Sequence, residues 1–248
     1  MATLSPTVTI HDPLTGRGGH GDRPPTSGGG GDNGGGFSPD YFHRLRRARL
    51  GLFVLLIPIL MLFVSFTSAY IVRKGVPGLS DSTGQTVRDW IEINLPIRLM
   101  LVNTGLLLVS SLTMELARRK ITQQAALAPV GEIPGISIGK EKTTVWLWAT
   151  AVLGVCFLVG QWVTWGELQN RGFYIATNPS SSFAYLLTAA HAIHLFGGIV
   201  ALLYAVISYS LLHRPVEARR IVVDITAWYW HFMALLWLYI FGLLAFVR

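Results

Sequence analysis

The chain has 248 residues, 51% of them apolar and only 13% charged, with a net charge of +7 and a mean hydropathy of +0.47. Soluble domains carry about 25% charged residues, so a soluble single-domain enzyme is excluded, as is a chain disordered throughout. A single cysteine excludes a disulfide framework, a thiolate zinc site and an iron–sulfur cluster.

Residues 1–43 hold Pro24-Pro25 and the glycine runs Gly28-Gly29-Gly30-Gly31 and Gly34-Gly35-Gly36, with few aromatic or β-branched residues. No apolar core there can offset the entropy of ordering, so this segment is expected to be a disordered Gly-rich cytoplasmic tail. It opens on neither a basic n-region nor an apolar h-region, and so does not read as a secretory signal. His11 and His20 within it are expected to be solvated, without a role.

The basic run Arg44, Arg46, Arg47, Arg49 ends the tail, and five apolar stretches follow, at about 50–72, 97–117, 145–165, 183–212 and 227–247. Each can cross a hydrocarbon core of about 30 Å as a helix of about 20 residues. The runs are continuously apolar rather than alternating, which predicts helices and excludes a barrel. The expected fold is all-α: a polytopic bundle of five transmembrane helices over 44–248. The long fourth stretch must tilt or emerge from the bilayer. Pro58 predicts a kink in the first helix. No stretch repeats another, so an inverted-repeat transporter has no support.

Basic residues set the orientation, and in a membrane protein they point to anionic lipid rather than nucleic acid. With the tail inside, Arg44, Arg46, Arg47, Arg49, Arg118, Arg119, Lys120, Lys140, Lys142, Arg214, Arg219 and Arg220 lie on the inner side. Arg73, Lys74, Arg88, Arg171 and Arg248 lie outside, with Arg98 near the outer end of the second helix. The N-terminus is therefore expected in the cytoplasm and the C-terminus outside.

Ionisable residues at membrane depth are costly and mark function. Glu115 lies near the inner end of the second helix, where an ion pair with Arg118 and Arg119 accounts for it. No acid, Lys or Arg falls in the middle of a stretch, which argues against a proton pump or ion-coupled transporter. His191 and His194 share a helix face at i, i+3, and His231 lies in Trp228-Tyr229-Trp230-His231-Phe232. These three could ligate a metal or haem, or could hydrogen-bond across helices and to backbone carbonyls.

Tryptophans at 146, 148, 162, 165, 228 and 230 suit headgroup depth. Trp237 and Tyr239 lie deeper and are expected to face protein. Ser110-Ser111, Gly154, Gly160 and Gly197-Gly198 mark close helix approach, and Cys156 reads as an inert packing residue.

Five strings in series resemble subunit III of the haem–copper terminal oxidases, over about residues 44–248. They are Arg49-Leu50-Gly51; Asn103-Thr104 with Ser110-Ser111; Gln161 to Trp165 with Leu168; Leu187-Thr188 with His191-Ala192-Ile193-His194 and Gly197-Gly198; and Ala227 to Phe232 with Trp237-Leu238. Five spans correspond to the short bacterial form of the family. The resemblance implies a non-catalytic structural subunit of a cytochrome c oxidase in aerobic respiratory electron transport, part of a proton-translocating complex. Haem and copper are then expected in the partner subunits and none in this chain, with bound phospholipid here.

The implied partners are a catalytic subunit I and a copper-carrying or quinol-oxidase-type subunit II, alone or within a larger supercomplex, in a bacterial inner membrane. His191, His194, His231, Trp230, Arg214, Arg219 and Arg220 become candidates for lipid binding or inter-helix packing. Acids common in the family are replaced by Pro58-Ile59, Thr164 and Ala234, against a proton-antenna role through the membrane face. The alternatives are a subunit III-like partner of a nitric oxide reductase or quinol oxidase, or an independent haem-binding membrane protein.

Overall fold

The computed structural model describes residues 39–76, 78–79, 86–87, 90, 95–127, 141–175, 178–210 and 216–246. Its elements are α1 (Pro39–Gly75), β1 (Gly78–Leu79), β2 (Thr86–Val87), α2 (Ile97–Leu127), α3 (Glu141–Asn170), α4 (Pro179–Ser210) and α5 (Val216–Phe246). The two short strands pair antiparallel between α1 and α2. All five helices are long and apolar enough to cross a membrane, so the expected five-helix, all-α architecture is the one observed.

The helices outrun the apolar stretches that announced them. α1 opens at Pro39, inside the segment assigned to the tail, with proline in the first turn where its missing N–H is not needed. Residues 1–38 lie outside the described residues. α2 continues past Arg118, Arg119 and Lys120 to Leu127, and α5 begins at Val216, well before the apolar run. These extensions keep one buried face: Ile121 and Ala125 on α2, Arg219 and Val223 on α5 are all buried. α1 is assigned as one helix through Pro58.

Local chemistry accounts for the helix ends. α3 closes on Gly172, in a left-handed conformation at φ 86°. Phe173 N–H donates to Leu168 O at 3.1 Å and Gly172 N–H to Gln169 O at 2.9 Å, the paired bonds of a Schellman ending. α4 opens at Pro179 behind Asn178, whose carbonyl accepts from the Ser182 N–H and from the Ser181 hydroxyl. The Tyr185 hydroxyl reaches back to Phe173 O at 3.0 Å and fixes this turn against α4.

Helices α2, α3, α4 and α5 close a ring in which each packs on two neighbours, and α1 lies outside it against α4 and α5. Cross-helix pairs show that ring neighbours are antiparallel: Ser110 with Thr150 and Asn103 with Gly160, then Trp165 with Thr188 and Phe157 with His191. Phe157, Leu187, Leu195, Trp230 and Trp237 fill the ring interior with no exposed surface. One end of the bundle carries Arg49, Glu115, Arg118 and Asp224; the other carries Arg73, Leu168 and Tyr185. They are called the Arg49 end and the Arg73 end below.

Outward faces remain apolar, as a lipid or protein surround requires. Phe53, Val54, Leu55, Ile57 and Met61 of α1 and Val152, Val155, Val159 and Trp162 of α3 are exposed. Cys156 shares that α3 face, so it is exposed rather than an interior packing residue. Tyr239 also departs from expectation, at 45% exposed, while Trp237 is wholly buried. The two positions lie on opposite sides of α5, about 200° apart at 3.6 residues per turn.

Candidate functional site

The densest chemistry is an ion network across α1, α2 and α5 at the Arg49 end. Arg49 donates to Asp224 Oδ2 through Nε at 3.1 Å and Nη2 at 2.8 Å. The other oxygen, Oδ1, accepts from Arg118 Nη1 at 3.2 Å. Arg118 also forks onto Glu115, Nε to Oε2 at 2.8 Å and Nη2 to Oε1 at 3.1 Å, and Arg119 Nε adds a bond to Oε1 at 3.0 Å. The expected pairing of Glu115 with both arginines is thus observed. Asp224, outside every predicted stretch, is the residue the sequence did not flag. Its carboxylate joins three helices, and two guanidiniums plus partial burial make it stronger than a lone surface pair.

His231 extends the network. Its Nε2 stands 3.4 Å from Glu115 Oε2 and its Nδ1 2.6 Å from Ser111 Oγ. A carboxylate can only accept, so Nε2 carries the proton, and in the neutral ring Nδ1 accepts from the Ser111 hydroxyl. This is the cross-helix hydrogen bonding foreseen for the histidines.

A ladder of polar pairs runs inside the ring from the network towards the Arg73 end. Trp230 Nε1 donates to Ser110 Oγ at 3.1 Å, and Ser110 Oγ donates to Thr150 O at 3.1 Å. Trp237 Nε1 donates to Thr104 Oγ1 at 3.0 Å, and Trp165 Nε1 to Thr188 Oγ1 at 3.1 Å. The threonine hydroxyls return their protons to their own helices, at Met100 O and Ala184 O. Each indole N–H meets an acceptor, as burial demands.

Three glycines let side chains of neighbouring helices approach the backbone closely. A Cβ on Gly154 would stand 2.8 Å from Trp230 Cη2, one on Gly198 2.8 Å from Tyr229 Cε1, and one on Gly160 would overlap Asn103 Oδ1. Gly197, also read as a contact glycine, has nothing within 4 Å and faces outward.

The three histidines are not brought together. His194 is held by its Nδ1 at 2.7 Å from Ala190 O and by an edge contact with Phe63 of α1, while Tyr229 donates to its carbonyl. His191 is wholly buried between Phe157 and Trp237, with ring centroids 5.9 and 5.1 Å away. Neither of its ring nitrogens has a protein partner, so the hydrogen bond expected of it is not made. Such orphaned groups cost about 1–3 kcal/mol each. Among the described residues, no group of three His, Cys, Asp or Glu is gathered to hold a metal ion.

The arginines proposed for lipid contact divide. Arg214 lies outside the described residues, Arg219 is buried, and the Arg220 guanidinium sits 5.5 Å over the Tyr41 ring. At the Arg73 end, α1 and α4 leave an open groove of about 570 Å³ between Ala69, Val72, Val76, Pro179 and Phe183, edged by Arg73 and Ser182.

Comparison with known proteins finds matches across the whole helical bundle. The profile of the family described as cytochrome c oxidase subunit III matches residues 41–247. A protein of Nocardia farcinica named probable cytochrome c oxidase subunit 3 is 25% identical over 210 residues, 83% of this chain and 92% of that one. The cytochrome c oxidase subunit 3 of Thermostichus vulcanus is 29% identical over 196 residues, 79% of this chain and 85% of that one. A Mycobacterium bovis protein named probable cytochrome c oxidase subunit 3 is 28% identical over 104 residues, covering 42% of this chain and 50% of its own. Since the profile extends from the start of α1 through the end of α5 and takes in every helix of the bundle, the chain belongs to the cytochrome c oxidase subunit III family.

Proposed function

We propose that this chain is the non-catalytic structural subunit of a haem–copper oxygen reductase that takes electrons from cytochrome c, seated in a bacterial inner membrane. Its role is to brace the catalytic subunit and hold phospholipid at the protein boundary, while haem and copper reside in the partner subunits. The observation that carries this reading is the family match over residues 41–247. The geometry supports it: His191, His194 and His231 sit in three different environments, and the indole N–H groups of Trp230 and Trp237 bond hydroxyls inside the ring. That is the chemistry of a scaffold.

Phospholipid is the ligand we assign to the groove between α1 and α4. Its walls suit an acyl chain, and Arg73 stands at the helix end, where a phosphate headgroup lies. The Arg49 end carries Arg44, Arg46, Arg47, Arg119 and Lys120, a basic excess that supports a cytoplasmic placement and an N-terminus inside.

The test is affinity purification of the tagged chain in mild detergent, with an optical spectrum and mass spectrometry of what co-elutes. Haem bands with a large copper-containing subunit are expected. A quinol-oxidase or nitric oxide reductase core in their place redirects the assignment, and a Soret band from the chain alone overturns it.

A further inference from the structure

Helix α1 changes neighbour along its length. At the Arg49 end it meets α5, where Arg49 bonds Asp224 and the Arg220 guanidinium stacks on Tyr41. Further along it meets α4 instead, where Phe63 packs on His194 and Tyr70 on Phe183. The crossing leaves the second half of α5 open on its outward side. Leu235, Tyr239 and Phe246 are exposed there, and Gly242 between them has nothing within 4 Å of where a Cβ would stand. Steps of four, three and four residues put these positions on one helix face.

Tyr239 distinguishes this face from one built for lipid. It stands about 22 Å along the helix from Asp224 and about 10 Å before Phe246. With the ion network at one boundary of a hydrocarbon core about 30 Å thick, the residue lies inside the core. Helical side chains lean towards their own N-terminus, so the phenol points back into the core and away from the nearer headgroups. Among the described residues no group bonds its hydroxyl. Ser65 and Ser68, exposed on α1, can return their protons to carbonyls of their own helix; a phenol ring holds its hydroxyl too far out for that. Tyr204 of α4 is similarly exposed but lies near the Arg49 end, where headgroups and water serve it.

We propose that this face of α5 seats a transmembrane helix of a partner subunit, which presents a hydrogen-bond acceptor to the Tyr239 hydroxyl. Acyl chains offer no acceptor at that depth, and a helix is the form in which protein brings one there. A serine, threonine or asparagine side chain on the partner serves, as does a backbone carbonyl. Gly242, one turn from Tyr239, lets the partner approach the α5 backbone closely, while Leu235 and Phe246 supply apolar contact on either side. The outward strip of α1 through Val54, Ile57, Met61 and Val64 has no hydroxyl or amide among those side chains, and is the face left to lipid. The proposal rests on the scaffold reading for the kind of partner, and names the side of the chain that braces it.

The test is photo-crosslinking in native membranes, with p-benzoyl-phenylalanine replacing Leu235 or, as the lipid-facing control, Ile57 in the full chain. The Leu235 position is expected to give an adduct with a membrane-spanning peptide of another subunit, at least fivefold above the Ile57 position. Lipid adducts alone, or an adduct with a second copy of this chain, overturn the proposal. A helix from a protein outside any oxidase upholds the docking face and overturns the assigned function. Lipid adducts in a complex that does carry haem and copper do the reverse. Tyr239→Phe, which removes only the hydroxyl, should speed loss of the partner from the detergent-solubilised complex about threefold, the effect of one interhelical hydrogen bond in a membrane. The amount of inserted chain should not change. Loss at the parental rate overturns the role given to Tyr239.

Discussion

The indole of Trp230 lies against Gly154, so close that its Cη2 and Cζ2 atoms would stand 2.8 and 2.9 Å from a Cβ on that glycine. The relationship joins α5 to α3 across the ring and lets the indole reach Ser110 on α2. Replacing Gly154 with alanine should cost about 1–3 kcal/mol by overpacking, of which the helix-propensity gain returns about 1 kcal/mol, a net loss of up to about 2 kcal/mol. Gly197→Ala, where nothing lies within 4 Å, should be neutral or stabilising. Thermal inactivation of the detergent-solubilised protein measures both, and equal midpoints for the two variants would show that the contact relaxes freely.

Asp224 should matter more than either of its arginines. Asp224→Ala removes the acceptor that Arg49 and Arg118 share, whereas Arg49→Ala leaves the carboxylate still bonded to Arg118. The expected loss is about 1–3 kcal/mol for Asp224→Ala and about 1 kcal/mol or less for Arg49→Ala. A double-mutant cycle between the two should give a coupling that shrinks as salt rises from 0.1 to 1 M, since Arg49 is half-exposed. A coupling of zero at low salt would make the contact incidental.

His231→Ala should weaken the α2–α5 contact and loosen assembly while leaving haem and copper content per catalytic subunit unchanged. His231→Gln should recover part of the loss, because an amide can serve either Glu115 or Ser111. Metal analysis of the purified complex is the deciding readout. Stoichiometric metal loss from His231→Ala would place a ligand on this chain.

Removal of residues 1–38 should leave insertion and assembly intact, because all five membrane-length helices lie beyond it, with buried side chains from Tyr41 onward among the described residues. Co-purification of the truncated chain with its partner subunits measures this. A truncated chain missing from the complex would make the tail a docking element.

The five spans were legible because hydrocarbon solvent demands long, continuous apolar runs, and each run did become a helix. Their ends were not legible, because helices α2 and α5 extend beyond the bilayer-length core through residues charged on one face only. Asp224 was missed for this reason: it reads as a loop residue until Val216–Phe246 forms one helix and turns it towards Arg49, 175 positions away. Glu115 with Arg118 and Arg119 was legible, being a local i, i+3 and i, i+4 matter. Cys156 and Tyr239 were misplaced because a span apolar all round gives little sign of which side meets neighbours. That the His191 ring nitrogens lack a protein partner is likewise invisible in a string of letters, since it depends on what the neighbouring helices fail to supply.

The seating of α1 outside the ring also sets a timetable for biogenesis. Among the described residues α1, the earliest of the five helices in the chain, packs chiefly on α4 and α5, the latest two of the five. Arg49 precedes Asp224 by 175 residues, which at about 5–20 residues per second is a delay on the order of 10–40 s. Throughout that interval α1 must remain inserted without its protein neighbours. Its hydropathy, the highest of the five spans at 2.6, is what lets it do so unaided. The ring can close before α1 docks, and docking then serves as the closing step of maturation, one that a lesion in the last helix can block without disturbing insertion of the first.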